Sequence, residues 1–279
     1  MKKYFEVKAD QYVAGKNFLV YRPASLKNPK NNSVMFIMEK YIDNIDVFRK
    51  VKDCLIFWPD KFEIPEDINN MHAVVSCASP HTEFARFFSA NSITYLPDIE
   101  DVKLVNGAYI AKNAIIGNNC KIFPGVYIGG EVKIGNNVYI GSGAKIVGEV
   151  YIGNNVVIRE NAVLGVDGLT TDRDENGRAL TIPQFGKIII EDDVQIGVSS
   201  IVARGAIDET RICRGSKIDA LCWISHNLYI DEDTFVVCGT MTLGSGSIGK
   251  RCLVSANSTL MAIHVGDDSI VGAGAVVTK

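Results

Sequence analysis

No C-x-x-C pair occurs among the seven cysteines, Cys54, Cys77, Cys120, Cys213, Cys222, Cys238 and Cys252. An odd set without paired spacing argues against a disulfide framework and against a zinc site, so reduced thiols are expected. There is no run of Lys and Arg, and the net charge is only -3, which excludes a surface built to track a nucleic-acid backbone. The start, Met1-Lys2-Lys3-Tyr4-Phe5, has two positive charges with no apolar stretch behind them, and nothing later approaches the length that spans a bilayer. A cytoplasmic protein without a membrane segment is expected.

What the chain does have is a core's worth of apolar residues, 47% of the total, and a strict period. Stepping by six from Leu104 gives Ile110, Ile116, Ile122, Ile128, Ile134, Ile140, Ile146, Ile152, Ile158 and Leu164. Four places after each comes a small or β-branched residue, among them Ala114, Cys120, Val126, Val132, Val138 and Ala144. Helices repeat apolar residues at three and four and ordinary strands at two, so a period of six fits neither. It fits a β-helix in which each hexad supplies one short strand and one corner, and three hexads close a triangular coil. Asn118-Asn119, Asn136-Asn137 and Asn154-Asn155 are the expected corners, since asparagine tolerates left-handed backbone angles.

The period stops after Leu164. Residues 165–187 are rich in turn formers and charge, as in Thr171-Asp172-Arg173-Asp174-Glu175-Asn176-Gly177, and read as a loop thrown out of a coil. The ladder resumes at Ile190, Ile196 and Val202, slips at Ala203-Arg204-Gly205-Ala206, and runs on from Ile212 to Leu260 with Thr242 in one aliphatic slot. A last slip leads to Val265, Val271 and Val277. Residues 1–98 lack the hexad. Their apolar runs at 33–38, 54–58 and 72–77, with a helical stretch at 82–88 after Pro80, predict a small α/β domain. Tyr95-Leu96-Pro97-Asp98-Ile99 is the expected linker into a β-helix domain covering 99–279, with the 165–187 loop inserted in it.

Four segments carry a resemblance: Gly165-Val166-Asp167-Gly168, Ile182-Pro183-Gln184-Phe185-Gly186, Ala203-Arg204-Gly205-Ala206-Ile207-Asp208, and Ile218-Asp219-Ala220-Leu221-Cys222-Trp223-Ile224-Ser225-His226-Asn227. Together they resemble the UDP-3-O-acylglucosamine N-acyltransferases. Phe36, Lys40-Tyr41 and the Pro80–Phe88 stretch are similar to that family's uridine-binding domain. The resemblance implies a left-handed winding and a homotrimer. It further implies transfer of an acyl group from a thioester to the amino group of a nucleotide-linked sugar. Phe36, Tyr41, Asp167, Gln184 and Arg204 would then contact the acceptor, with the two aromatics around the base. The family carries a second functional histidine where this chain has Ala262, with His264 two residues on and out of phase. The chain stops at Lys279 without the helices that the family associates with its acyl-carrier-protein donor. Its ending, Gly272-Ala273-Gly274 through Lys279, looks like the coenzyme A-binding coils of small hexapeptide acetyltransferases. The expected donor is therefore acyl-CoA, with acyl carrier protein the alternative. Gly272, Gly274 and Lys279 are its candidate contacts, and no resident cofactor or metal is expected.

Amide formation from a thioester needs a base for the amine proton and donors for the oxyanion. His226 lies two places after inward-facing Ile224 and so faces outward; by itself it reads as an exposed surface histidine, but imidazole titrates near neutrality and the resemblance at Ser225-His226-Asn227 implies the base role. Asp219 either orients that ring or is a corner carboxylate. Asn227 either polarises the carbonyl or turns a corner. Cys222 falls in the small inward slot and is not a nucleophile, and outward Trp223 suits a subunit contact. Phe36 is core or base platform, and Arg204 and Lys279 meet phosphates or solvent. Two other classes compete. One is a three-histidine zinc site between subunits, for which the coils offer only His226 and His264. The other is a sugar-nucleotide binding protein without catalysis, in which Ala262 marks the loss.

Overall fold

The computed structural model describes residues 2–95 and 100–278, so of the expected linker only Tyr95 lies among them. Two compact units emerge: residues 1–96 with Leu169–Phe185, and residues 97–168 with Gly186–Lys279.

In the second unit the chain visits three parallel sheets in turn. The first face is ten-stranded and includes Tyr127–Ile128, Trp223–Ile224 and Val276–Val277. The second face is eight-stranded and runs from Ile115–Ile116 to His264–Val265. The third is also eight-stranded, from Lys121–Ile122 to Ile270–Val271. Register is kept by like on like: Ile128 pairs with Ile146, Ile146 with Leu164, and Ile140 with Ile158. The hexad isoleucines are buried in one continuous core from Ile128 to Leu260. Each such side chain contributes about 1.5–3 kcal/mol of transfer free energy.

Side chains also stitch the corners. Asn118 N–H donates to Asn136 Oδ1, Asn136 N–H to Asn154 Oδ1, and Asn154 N–H to Asp192 Oδ1, 2.6–2.9 Å each. Asn119, Asn137, Asn155 and Asp193 beside them hold φ near +56 to +61°. In later coils the small inward slot becomes polar. Ser216 Oγ donates to Asp231 O and accepts from Thr234 N–H, and Thr234 Oγ1 repeats this between Gly249 O and Cys252 N–H. A buried hydroxyl is tolerable there because both its donor and its acceptor functions are used.

One expected ladder residue belongs elsewhere. Leu104 is 66% exposed, and Val102–Val105 pairs antiparallel with Ala108–Ala111 across an Asn106-Gly107 turn. Both turn residues have positive φ, 49 and 80°, the geometry that closes two-residue hairpins. Leu104 was in phase with the hexad by sequence alone, and hairpin pairing overrides the period at the end of the helix.

The first unit contains a four-stranded parallel sheet, Arg22–Pro23, Ser33–Phe36, Leu55–Pro59 and Ala73–Cys77 in that order, with a helix at Pro80–Ala90. Residues 169–185, expected as a loop of the β-helix domain, pack in this unit instead. Thr171–Arg173 and Ala179–Thr181 form an antiparallel hairpin. Ile182 and Phe185 are 2% and 4% exposed, and the Phe185 ring meets those of Tyr4, Phe88 and Tyr95 at 5.0–5.6 Å. Burial of those two apolar side chains explains why this segment leaves the coil. No helix among the described residues is long and apolar enough to cross a membrane.

Candidate active site

Every interruption of the hexad from Gly165 onward falls on one edge of the second unit, the corner between its first and second faces. The chain leaving after Gly168 and returning at Gly186, the Ala203–Asp208 slip and the short step at Ala262 all connect a first-face strand to a second-face strand, as do the regular hexads that carry Ser225-His226-Asn227 and Gly244-Ser245-Gly246. Regular hexads build the other two edges, and irregular sequence collects where side chains and backbone are freed from the ladder.

His226 sits on this edge, half-buried. Its Nδ1 lies 3.1 Å from Asn227 Oδ1. The same Oδ1 accepts the Ala206 N–H at 2.8 Å, which identifies that atom as the oxygen, because a backbone N–H only donates. Nδ1 therefore carries the proton it gives to Asn227, and in the neutral ring Nε2 is the nitrogen with the lone pair. Asn227 has φ +58° and its own N–H donates to the buried Thr210 Oγ1 at 2.9 Å. Asn227 thus turns the corner and also hydrogen-bonds the ring beside it.

Two glycines flank the imidazole. A methyl group at Gly168 would lie 2.7 Å from Cδ2, and one at Gly244 would lie 2.3 Å from Cε1 and 2.4 Å from Nε2. Only glycine permits such approach. Ser245 N–H donates to His226 O at 3.0 Å, and Thr242, buried in the ladder one coil on, accepts the Ser225 N–H and donates to Trp223 O. Gly168 lies in one of the segments that carry the resemblance and Gly244 in none, and the contact of either with His226 is invisible in the sequence because it spans coils.

Asp219 lies on a different edge, between the third and first faces. Its Oδ1 accepts Ala220 N–H at 2.7 Å and its Oδ2 accepts Cys238 N–H at 3.2 Å. It is a corner carboxylate and does not orient the His226 ring. Arg204 is not a solvated surface group, since its side chain is 5% exposed and pairs with Asp167 at 2.5 Å. Asp167 itself is 46% exposed. Cys222 is 2% exposed, and burial pushes its thiol pKa up, which keeps it an inert thiol. Gly272 and Gly274 sit exposed between the third and first faces at the last coil, with open space around both, and Lys279 lies outside the described residues. His264 points outward on the second face with Nδ1 2.8 Å from Ser247 Oγ, while Ala262 occupies the corner at φ +49°.

In the first unit, Phe36 ends its strand half-buried, with its ring 4.8 Å from Phe84 and 5.3 Å from His81. Tyr41 is 41% exposed, with the Lys40 ammonium 4.9 Å from its ring. Gln184 is 2% exposed; its amide nitrogen donates to Ile182 O and Thr170 Oγ1, and its Oε1 is buried without a hydrogen-bond partner among the described residues. The hairpin is tied to the Pro80–Ala90 helix. Asp172 Oδ2 receives hydrogen bonds from His81 Nδ1 and Thr82 Oγ1, both at 2.8 Å, and Glu175 pairs with Arg86 at 2.5 Å. Burial works to raise the Asp172 carboxyl, but the bonds from His81, Arg173 N–H and Thr82 outweigh it and hold the pKa below the ordinary carboxylate value. A cavity of about 520 Å³ in this unit is lined by Tyr4, Lys8, Gln11 and Asn91 among others, and includes none of the residues to which the sequence pointed.

Residues 113–148 and 131–165 match the Bacterial transferase hexapeptide (six repeats) family, and residues 247–279 match the Hexapeptide repeat of succinyl-transferase. The coil is accordingly a left-handed β-helix of the hexapeptide-repeat class. Parts of the chain are similar to the UDP-3-O-acylglucosamine N-acyltransferases. It is 52% identical over 75 residues to the enzyme of that name from Francisella tularensis subsp. holarctica, a match covering 27% of this chain and 22% of that protein. The Wolinella succinogenes enzyme is 35% identical over 123 residues, 44% of this chain and 39% of that protein. The alignments thus span well under half the length of these curated relatives. Among solved structures, the Francisella novicida UDP-N-acetylglucosamine acyltransferase matches with 23% identity and TM-score 0.45, covering 61% of this chain and 63% of that one. A Bacillus cereus N-acyltransferase in complex with dTDP and coenzyme A matches with 19% identity and TM-score 0.27, covering 62% and 80%.

Proposed function

We propose that this protein transfers an acyl group from a thioester to the amino group of a UDP-linked amino sugar, with His226 as the general base. The observation that carries this reading is the fixed imidazole: Nδ1–H is committed to Asn227 Oδ1, itself held by Ala206 N–H, so Nε2 is the basic atom. The amine attacks the thioester carbonyl while Nε2 takes its proton. Hydrogen-bond donors at the site would meet the oxyanion that forms. On collapse the C–S bond breaks, and the imidazolium returns the proton to the leaving sulfur. Two features suit Asn227 to this cycle: its amide oxygen accepts from both charge states of the ring, and it adds no second titrating group.

Phe36 and Tyr41 are the residues proposed for the uracil base. The similarity to UDP-3-O-acylglucosamine N-acyltransferases favours a donor on acyl carrier protein over acyl-CoA, and a homotrimeric, cytoplasmic enzyme is part of the same proposal. One observation favours a second reading, a sugar-nucleotide binding protein: the corner at Ala262 carries no imidazole, and His264 faces outward on the second face. The test offers a panel of UDP- and dTDP-linked amino sugars with acyl carrier protein and coenzyme A thioesters in parallel, and follows amide product by mass spectrometry. Product that depends on one amino sugar supports the transferase, while nucleotide binding without product supports the second reading.

A further inference from the structure

We propose that Arg204 is a positioning residue: through Asp167 it clamps the Gly168 peptide against the His226 ring and so holds the ring where Asn227 can fix its tautomer. The chain of contacts is short and lies wholly in the second unit. The guanidinium pairs with Asp167 at 2.5 Å, and the Arg204 N–H donates to Val166 O at 3.0 Å, so both ends of one residue grip the segment ending in Gly168. Gly168 follows Asp167 directly, and its Cα packs so closely on the imidazole that a methyl group there would come within 2.7–3.1 Å of Cδ2, Cβ and Cγ. Behind the pair, a Cβ at Gly148 would stand 3.3 Å from Arg204 Nη1, and one at Gly165 would stand 1.7 Å from Val147 O. These contacts leave the segment little room to shift away from the ring. An arginine enclosed to 5% exposure is held by its ion pair, because an unpaired buried charge is strongly unfavourable. Removing the guanidinium leaves Asp167 without its partner and frees the Gly168 peptide.

The inference rests on the general-base reading for its kinetic consequences but not for its structural ones. With only four histidines in the chain, the ring nitrogens of His226 are resolvable by long-range proton–nitrogen NMR. The wild-type protein is expected to show His226 as the Nδ1–H tautomer. Arg204→Gln and Asp167→Asn should each shift it toward a mixture containing Nε2–H, with Arg204→Lys in between. Gly168→Ala, which leaves the ion pair in place, should perturb the same resonances from the other side and guards against an Arg204 variant that fails to fold. In turnover, Arg204→Gln should lower kcat about 10–100-fold with KM for the nucleotide sugar changed less than about twofold, as expected for misplacement of a catalytic group. Unchanged His226 resonances in folded Arg204→Gln overturn the proposal. So does a raised KM with kcat kept, which would make Arg204 a phosphate ligand. If the wild type turns over no substrate yet the NMR response appears, the clamp stands and the transferase reading fails.

Discussion

Gly244 and His226 face each other across adjacent coils, so close that a methyl group on Gly244 would stand 2.4 Å from Nε2. The backbone of Gly244 is not in the left-handed region, so alanine is locally allowed and only the ring objects. Gly244→Ala should therefore leave the melting temperature within a few degrees of wild type while lowering kcat by about 10²-fold through displacement of the imidazole. Thermal melts beside steady-state rates check this, and a variant of full activity would remove Gly244 from the site.

Thr242 tests how the His226 corner is supported. Its hydroxyl accepts the Ser225 N–H at 3.0 Å inside the core. Thr242→Val keeps the shape and leaves that N–H buried without a partner, a change worth about 1–3 kcal/mol. Denaturant unfolding should show the loss, and equal stability would mean that the corner relaxes to recover the bond.

Acid should loosen the hairpin of the first unit. The Asp172 pKa is held below its ordinary value, so the stability it contributes is complete above the unfolded carboxylate pKa, near about 4, and is lost as pH falls through the lower folded value. Asp172→Asn should cost about 1–2 kcal/mol at pH 7, and the gap to wild type should close as pH falls through the lowered folded value. Melting curves across that range decide, and a gap independent of pH would assign the cost to geometry alone.

Phe36 presents an aromatic ring at the end of its strand, packed on Phe84 and His81. Phe36→Leu keeps an apolar side chain but removes the flat face. KM for the nucleotide sugar should rise about fivefold or more, with the donor's KM unchanged, since base stacking contributes about 1–3 kcal/mol. A change confined to the donor would move Phe36 out of the nucleotide site.

The coil was legible because a period of six has one structural meaning, and the outward position of His226 because of its phase in that period. Less visible was anything joined across coils. The tie between Asp172 and His81 spans 91 positions, and the two glycines flanking the ring carry no side chain to draw notice. Asp219 and Arg204 show the opposite failure. Their residue types suit catalysis and phosphate binding, but Asp219 closes a corner through two backbone N–H groups and Arg204 is enclosed in an ion pair. Leu104 kept the hexad phase, yet the Asn106-Gly107 turn folded its strand back.

The most direct test of the central claim compares wild type with His226→Ala in single-turnover amide formation, after the acceptor and donor have been found with the substrate panel. The account predicts a rate lower by about 10²–10⁴-fold with the fold and nucleotide affinity retained. An unchanged rate would contradict it and remove the imidazole from the chemistry.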